Sequence, residues 1–440
     1  MTRHQCLLFM LGCHLLGTSL VADTVTWDDV IRSALVSDER IEIQRRNVVI
    51  AGQEVSRAWT IVSPRLTASA QYDRPEEELR RDGQVIVPED SWRATITARQ
   101  PVFDGRVLPA RRWGLALEAA EAHALVHTIQ QSLFDVSRIF YGVLSAQKQV
   151  QIAEQTVDLA REEVARARAR FDAGEARRTE VLRAEVDEAR SARNLVLARN
   201  AFALSRSELA RRVGWPTNRA FTLQAPEPGP EQEEAASVAD LLEEALRQRH
   251  DVAALRRQVQ AGWEEDTVIR REAWPTLELQ FNHRFVDPES FSNRNNTWDI
   301  AAVARYEFWD GGSRRVSRRQ QTERIQQAEL RVDELEKNIE LEIHQAWLDI
   351  HMLRENIASL RKEVTLAEEN YRTLSEQARV GLATSLDVST ALTALDQART
   401  DLSREAFDLA VARQRLEATV GAFARDYIDM EGADVRYDDE

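Results

Sequence analysis

The chain is a tandem duplication, and this limits its possible folds more than any other feature. "PVFDGR" at 101–106 and "EFWDGG" at 307–312 share an aromatic residue followed by Asp-Gly, 206 residues apart. "WDDVIRSALVSDERI" from Trp27 pairs in the same way with "ADLLEEALRQRHDV" from Ala239. Because such pairs keep one order and a nearly constant spacing, each half is predicted to repeat the same order: helix, strand, strand, long helix, helix.

Domain bounds follow from this repeat and from composition. A polar loop at 74–91 absorbs the small difference in length between the halves, and "APEPGPEQEEAA" has the composition of a linker. The predicted parts are a signal peptide at 1–22, a first repeat at 23–224, a linker at 225–236, a second repeat at 237–424 and an acidic tail at 425–440. In the first repeat, strands are predicted at about 64–73 and 92–103 and a helical hairpin at about 104–214. In the second repeat, strands are predicted at about 275–286 and 297–309 and a helical hairpin at about 310–421.

The first 22 residues have the form of a secretory signal, with a basic start, an apolar core and a plausible cleavage point at Ala22. Both cysteines, Cys6 and Cys13, lie inside this segment. The mature chain therefore has none, which suits an oxidising compartment. "MLGC" at 10–13 weakly resembles a lipoprotein cleavage box, so lipidation of Cys13 stays open as an alternative.

Four segments alternate between apolar and polar residues, the pattern of strands with two unlike faces. In one of them the apolar face is Trp92, Ala94, Ile96 and Ala98, and the polar face is Arg93, Thr95, Thr97 and Arg99. Half-exposed hairpins on a soluble domain are one interpretation. Each segment is, however, close to the ~9–11 residues that cross a bilayer at a tilt, and later runs are too short for the ~20 apolar residues of a membrane-spanning helix.

Four strands are too few to close a barrel, since the smallest bacterial outer-membrane barrels have about eight. An open sheet edge is not tolerated in lipid. Either the sheet lies outside a membrane, or several chains share one barrel. A symmetric oligomer is the simpler prediction.

After each Asp-Gly motif the apolar period becomes about 3.5 residues, which indicates coiled-coil packing. The positions in the two halves are Ile129, Leu133, Val136, Phe140, Val143, Val150 and Val157, and Ile343, Trp347, Ile350, Ile357 and Val364. A single helix from Asp104 to Ala173 would be about 105 Å long at ~1.5 Å per residue. Gly174 and Gly381 are suited to end the long helices, and Thr384 with Asp387 predicts a capping box on the helix that follows.

No arrangement of residues indicates an enzyme. The chain lacks a phosphate-binding glycine loop and zinc-type His and Cys spacing, so neither a cofactor nor a metal is expected. His123 with His127, and His344 with His351, are interpreted as packing or surface residues rather than metal ligands. The net charge of −15 argues against a nucleic-acid partner. The acidic tail is interpreted as solvated, with calcium binding as the alternative.

Together these features resemble the TolC-type outer-membrane efflux protein family. The resemblance rests on the duplicated order, the motifs "PVFDGR" and "EFWDGG", and the hairpin tips "FDAGEARRTEVL" and "RVGLATSLDV", and it covers nearly the whole mature chain. It implies a mainly α fold with a membrane portion: three chains form a 12-stranded β-barrel in the outer membrane, continued by a helical barrel in the periplasm. The implied function is a passive export duct of a tripartite efflux or type I secretion system.

The resemblance also implies partners: a periplasmic adaptor (membrane fusion) protein, an inner-membrane pump of RND, ABC or MFS type, and outer-membrane lipid. The rival interpretation is a periplasmic adaptor or a structural coiled-coil protein. Adaptors typically have one helical hairpin flanked by lipoyl-like β segments, whereas this chain predicts two hairpins and no such module.

Two sites follow from the family. The hairpin tips are expected to meet the adaptor, and the residues are Gly174, Glu180, Val181, Gly381, Leu382 and Val388. Asp387 matches an acidic position that lines the closed tip in the family, and three copies would form a ring that attracts cations. Some relatives have a second acid three residues later, where this chain has Thr390. Asp387 also has a purely structural interpretation, as an acid at a helix start.

The duplicated motif is predicted to be the structural junction between strand and helix. Pro101 is expected to end the strand ladder, since it lacks an amide donor. Asp104 is expected to cap the helix, and Gly105 to allow a sharp change of direction. The remaining junction residues are Phe103, Trp309, Asp310 and Gly311.

Overall fold

The computed structural model describes residues 23–81, 84–226, 237–287, 296–425 and 427. The predicted signal peptide with Cys6 and Cys13, nearly all of the linker and nearly all of the acidic tail lie outside these residues. The described part is mainly helical.

Each half contains two short helices, two strands of a common sheet, and two long helices. The first half comprises β1 (Asp23–Val25), α1 (Trp27–Ser37), α2 (Glu39–Thr60), β2 (Arg65–Asp73), β3 (Leu79–Arg81), β4 (Gln84–Val87), β5 (Ser91–Phe103), α3 (Val107–Asp172), α4 (Arg178–Arg212) and β6 (Phe221–Leu223). The second half comprises α5 (Val238–Gln248), α6 (His250–Arg271), β7 (Thr276–Asp287), β8 (Asn296–Arg305), α7 (Ser313–Arg379) and α8 (Ser385–Val420). The long helices α3 and α7 run for 66 and 67 residues without a break.

The main sheet has the order β2-β5-β7-β8, and all its pairs are antiparallel. Its register aligns residues of the same character across the four strands. One row is Leu66, Ala98, Phe281 and Ile300, and the next is Thr67, Thr97, Asn282 and Asp299. The apolar row is largely exposed in the single chain, while Asn282 hydrogen-bonds with Thr97 and Asp299 in the polar row. Within the described residues, β2 and β8 each pair on one side only.

Two details differ from the sequence-based expectation. The last strand ends at Arg305 rather than near 309, so Phe308 and Trp309 lie outside the sheet. The loop at 74–91 is not wholly irregular, because β3 and β4 form a small antiparallel hairpin within it. A longer loop can carry such a hairpin without changing the register of the strands that it joins.

The helices pack in the same order as the strands to which they connect. Over its first part α3 contacts α2 and α6, and α6 in turn contacts α7. Over its second part α3 contacts α4 and α8, and α8 contacts α7. Because α2, α3, α6 and α7 adjoin β2, β5, β7 and β8 respectively, the chain forms one continuous wall, four elements wide, that changes from sheet to helix.

A separate core lies midway along the wall. Here β1 pairs in parallel with β6, and the indole of Trp27 meets the buried Phe140 edge to face at 5.1 Å between ring centroids. Phe221 is also fully buried in this core, although most residues of the long helices are partly exposed. This cluster anchors α1 and the last residues of α8 onto α3.

The two halves carry opposite charges at the junction between their short helices. Asp38, between α1 and α2, is buried and accepts a hydrogen bond at 2.9 Å from Arg212. Arg249 holds the equivalent position between α5 and α6, and its guanidinium pairs with Asp251 at 2.7 Å and Glu342 at 2.9 Å. Each buried charge has a partner, so each junction is satisfied electrostatically.

Two histidines of the first half lie at the contact between α3 and α6. His123 on α3 lies beside His250 on α6, with 3.1 Å between their Nδ1 atoms, and His127 lies near Asp251. Burial lowers the pKa of His250 to about 4, so this imidazole is neutral at physiological pH. No group of three or more possible metal ligands occurs among the described residues.

Candidate functional site

Both long hairpins turn through the same tight loop. Gly174 and Gly381 have φ of +76° and +79°, a left-handed conformation that strains any other residue. After Gly174 the amide of Glu175 returns to the carbonyl of Arg170, and after Gly381 the amide of Leu382 returns to that of Gln377, both at 2.9 Å. These bonds are the Schellman closure of a helix C-terminus, which explains why a glycine stands at each tip.

The helix after the second tip begins with the predicted capping box. Asp387 Oδ2 accepts hydrogen bonds from the Thr384 amide at 2.8 Å and hydroxyl at 2.7 Å, while Thr384 Oγ1 accepts from the Asp387 amide at 3.3 Å. The side-chain bond and then the backbone bond from Thr384 lower the pKa of Asp387 below its ordinary value. The carboxylate is therefore charged at neutral pH, and its side chain is exposed at the tip.

The residues assigned to adaptor docking divide into two groups. Gly174, Gly381 and Leu382 are exposed, with Leu382 at 79% of its possible surface. Val181 and Val388 are instead buried between the helices, so within the single chain they pack the tip and present no surface. Glu180 is intermediate: it lies 3.7 Å from Arg170 and accepts a weak bond from the Arg177 amide.

A polar tie between α3 and α7 lies just behind the tip, and sequence reasoning missed it. The Tyr371 hydroxyl and the Ser375 hydroxyl both donate to Glu163 Oε1 at 3.0 Å. Arg166 forms an ion pair with the same carboxylate at 3.1 Å and also contacts Ser375. Burial, and then the Glu163 charge, raise the pKa of Tyr371 to about 12, so the phenol remains a donor at any physiological pH.

This tie borders a partly open pocket of about 190 Å³ between the four long helices. Its walls include Arg166, Arg170, Glu180 and Asp187 as well as small and apolar residues. The only sequence signal for the tie was a tyrosine at a core position of a coiled coil, where an aliphatic residue would suffice. Its partners on α3 are about 208 residues away in the chain, so spacing gave no indication of them.

At the first junction, β5 leads into α3 through a short turn that contains Asp104. Pairing continues beyond Pro101 to Phe103, with an irregularity between them, so Pro101 does not end the ladder. Asp104 Oδ1 accepts from the Arg106 amide at 2.9 Å, yet α3 begins only at Val107 and its N-cap lacks a side-chain bond. Asp104 thus forms the turn before the helix and does not cap it.

Gly105 is required by close contact and not by its backbone angles. A Cβ at this position would lie 2.9 Å from the Trp274 ring, and φ is not in the left-handed region. Trp274 is itself held, because its ring stacks on Phe103 at 6.4 Å and lies beneath the Arg271 guanidinium at 4.9 Å. Trp274 belongs to the second repeat, so this contact joins the two halves at the level where sheet becomes helix.

The second junction uses the same residue types differently. Asp310 accepts from the amides of Gly312 and Arg314, both at 2.9 Å, and its hydrogen bonds with Arg314 lower its pKa to about 2. Gly311 and Gly312 both have positive φ, of +67° and +89°. Trp309 is 77% exposed, and among the described residues it has no ring contact like that of Trp274 with Phe103. The two junctions therefore form different turns, although their motifs share an aromatic residue followed by Asp-Gly.

No helix within the described ranges combines the length and hydrophobicity that a membrane-spanning helix requires.

Comparison with known proteins gives one consistent result. The model of the outer membrane efflux protein family matches residues 30–214 and 241–422, which is most of both halves. The outer membrane efflux protein BepC of Brucella suis is 23% identical over 430 residues, covering 96% of this chain and 90% of BepC. The alkaline protease secretion protein AprF of Pseudomonas aeruginosa is 22% identical over 353 residues, covering 78% of this chain and 72% of AprF.

The fold is also found among solved structures. The outer membrane protein VceC of Vibrio cholerae superimposes with a TM-score of 0.73 at 18% identity, covering 90% of this chain and 96% of VceC. This similarity concerns the fold, since the identity is low.

Gly105→Ala tests the role of Trp274 at the first junction. The added methyl group would press on a ring that Phe103 and Arg271 prevent from moving, and we expect a loss of about 1–3 kcal/mol in stability. Gly142→Ala is the matched control, because a Cβ there meets nothing within 4 Å and alanine favours a helix. Thermal unfolding of both variants in detergent checks this; equal melting temperatures would contradict it.

Proposed function

The chain belongs to the outer membrane efflux protein family, and from this we propose that three copies assemble into one continuous export duct. The chain is an outer-membrane channel that extends into the periplasm and serves a tripartite efflux or secretion system. Channels of this family work with a periplasmic adaptor and an inner-membrane pump.

The main support for this assembly is that the wall formed by one chain has unpaired strand edges and an exposed apolar face. In the part of the chain that the structure describes, the edge strands β2 and β8 have backbone donors and acceptors without partners on one side. The sheet also exposes an apolar face that includes Trp298 and Ile300, each 67% exposed. Pairing β8 of one copy with β2 of the next would satisfy both edges and close a barrel of three chains. Lipid then covers the apolar face, and water fills the polar interior.

The edge helices support the same closure. On α4, Val186, Leu197 and Leu204 are exposed, and on α7, Leu330, Leu341 and Leu348 are exposed. Both sets are spaced by 11 and 7 residues, and by helical periodicity each lies on the side of its helix opposite to the buried contacts. The α7 stripe lies level with α6 and α2, since Glu342 pairs with Arg249, whereas the α4 stripe lies nearer the tip. At the level of the α7 stripe the opposite edge of the wall is α2, whose Ile43 and Ile50 are exposed and seven residues apart, so the α7 stripe and this side of α2 are suited to meet in an oligomer.

The proposed duct is passive. The described residues contain the ties and caps reported above and no catalytic arrangement, so the energy for export is assigned to the pump. The duct is proposed to contact the adaptor, which connects it to an inner-membrane pump of RND, ABC or MFS type. The name of AprF concerns protease secretion by that protein, and it makes protein cargo a candidate beside small molecules.

The proposed closed end is the ring of tips at Asp387. Three carboxylates near one axis would repel anions and favour cations. The tie of Tyr371 and Ser375 to Glu163 holds α7 against α3 directly behind the tip. We assign it the role of keeping the hairpins together until a partner displaces them. Thr390 bonds to the carbonyl of Leu386 and adds no second charge to the ring.

Leu341→Glu combined with Leu348→Glu tests the assembly. Charges on the α7 stripe would face the exposed apolar residues of α2 in the neighbouring copy, such as Ile43 and Ile50, so we expect the trimer to be largely lost. Light scattering after size exclusion in detergent measures the mass of the assembly. Ala358→Glu is the control, since it is exposed on a different side of the same helix. A stable trimer in the double variant would refute the proposed interface.

Asp387→Asn tests the ring of charge. Asparagine retains an acceptor for the Thr384 amide, so it removes the charge and preserves much of the cap. We expect cation preference in planar bilayers to fall severalfold, and the wild-type preference to persist at pH 5, because the pKa of Asp387 is already below its usual 3.8. Thr384→Ala keeps the charge and weakens the cap, and it should retain the preference. Unchanged selectivity in Asp387→Asn would leave only the capping role.

Leu382→Asp tests docking at the tip. Gly381 is a poor site for this test because any side chain would strain its backbone, whereas Leu382 is exposed and unstrained. We expect adaptor-dependent export to fall at least tenfold, about 1.4 kcal/mol in binding, while the amount of trimer in the outer membrane stays the same. Normal export with a normal amount of trimer would exclude Leu382 from the interface.

A further inference from the structure

The start of α7 carries an unusual charge pattern. Its first ten residues, Ser313 to Thr322, include four arginines and no acidic residue. The N-terminal turns of a helix carry partial positive charge, so cations there are unfavourable by about 0.3–1 kcal/mol each. Helix stability therefore does not account for these arginines.

Two of the four are neutralised within the chain. Arg314 pairs with Asp310 at 2.7 Å, and Arg318 shares Asp266 with Arg270. Arg315 and Arg319 are exposed, and in the part of the chain that the structure describes neither has a carboxylate within ion-pair distance. They are one helical turn apart and project from the same side of α7.

These two guanidiniums border a groove of about 470 Å³ between the end of α6 and the start of α7. Arg270, Arg314 and Arg318 also line it, and Ile269 and Ala273 supply apolar wall. Five guanidiniums meet two carboxylates here, Asp266 and Asp310, so the groove carries a net positive charge. It suits a ligand that combines an anionic group with an apolar part.

Position along the wall restricts what this ligand is. The groove begins within ten residues of Phe308 and Trp309, which are 84% and 77% exposed, and β8 with its apolar face ends just before them. Exposed aromatic residues at the end of an apolar band are typical of a membrane–water interface. Trp263, seven residues before Arg270 on the same side of α6, is also half exposed and adds a further aromatic side chain beside the groove.

We propose that Arg315 and Arg319 bind the phosphodiester of an anionic phospholipid in the periplasmic leaflet, with the acyl chains directed along the apolar face of the sheet. This inference rests on the membrane position assigned to the sheet above. Basic pockets beside membrane-spanning elements bind anionic headgroups, at about 1 kcal/mol per arginine near the surface. In the proposed trimer the groove occurs three times, each beside the contact with the next copy, because Arg319 lies eleven residues before Leu330 in line with the α7 stripe. The lipid would anchor the seam between sheet and helices at a fixed depth.

The test is a titration of trimer in detergent with short-chain phosphatidylglycerol, followed by native mass spectrometry. Arg315→Gln with Arg319→Gln should weaken lipid retention about thirtyfold, the equivalent of about 2 kcal/mol. Arg331→Gln with Arg361→Gln is the matched control, because both arginines are exposed further along the same helix. The control should bind as the wild type does, and phosphatidylcholine should be retained weakly by all three proteins.

Other occupants of the groove give different outcomes. If inorganic phosphate displaces the lipid at equal concentration, the groove is a site for free anions and the proposal is overturned. If the double variant retains lipid but loses the trimer or adaptor-dependent export, the arginines serve a protein partner instead. Equal lipid retention by all variants that insert normally overturns this inference alone, whereas failure of the wild-type sheet to enter any bilayer overturns the proposed duct.

Discussion

The unpaired backbone of two edge strands is the constraint on which the rest of the structure depends. A strand edge in lipid leaves donors and acceptors that no solvent can satisfy. Because β2 and β8 are the edges of one four-stranded sheet, each copy requires a neighbour on both sides. The helices continue the wall in the same order, so they inherit this requirement, and apolar stripes appear on the edge helices α4 and α7 where a single chain would need none.

Much of this architecture could be predicted because the spacing of apolar residues in the sequence is periodic. Alternation from Trp92 to Ala98 predicted a strand with two unlike faces, and the register shows each face continuing across four strands. The period of about 3.5 after Asp104 predicted a helix of uncommon length, which is confirmed in α3. The family resemblance and the fold class drawn from the repeated motifs are also confirmed.

The details that the sequence did not predict depended on contacts between residues that are far apart in the chain. The motif Phe103-Asp104-Gly105 was correctly placed at a junction, but its glycine serves Trp274, and no local rule connects those positions. Val181 and Val388 were grouped with the tips by their position in the chain, although their apolar side chains turn inward to pack between helices. The tie of Tyr371 to Glu163 went unseen for the same reason. The domain bounds and the roles assigned to the tips remain predictions.

The opposite charges of Asp38 and Arg249 bear on the history of the molecule. Duplication gives two halves that start out interchangeable, and six copies of a half could in principle close the same tube. Once one half buries an acid where the other buries a base, the two side chains can no longer be exchanged, since Asp38 at the second position would meet Asp251 and Glu342, and Arg249 at the first would meet Arg212. The two halves have therefore diverged in charge at a position that they inherited in common. In the proposed assembly this divergence gives the tube two kinds of hairpin in alternation, so that a sixfold repeat becomes a threefold one.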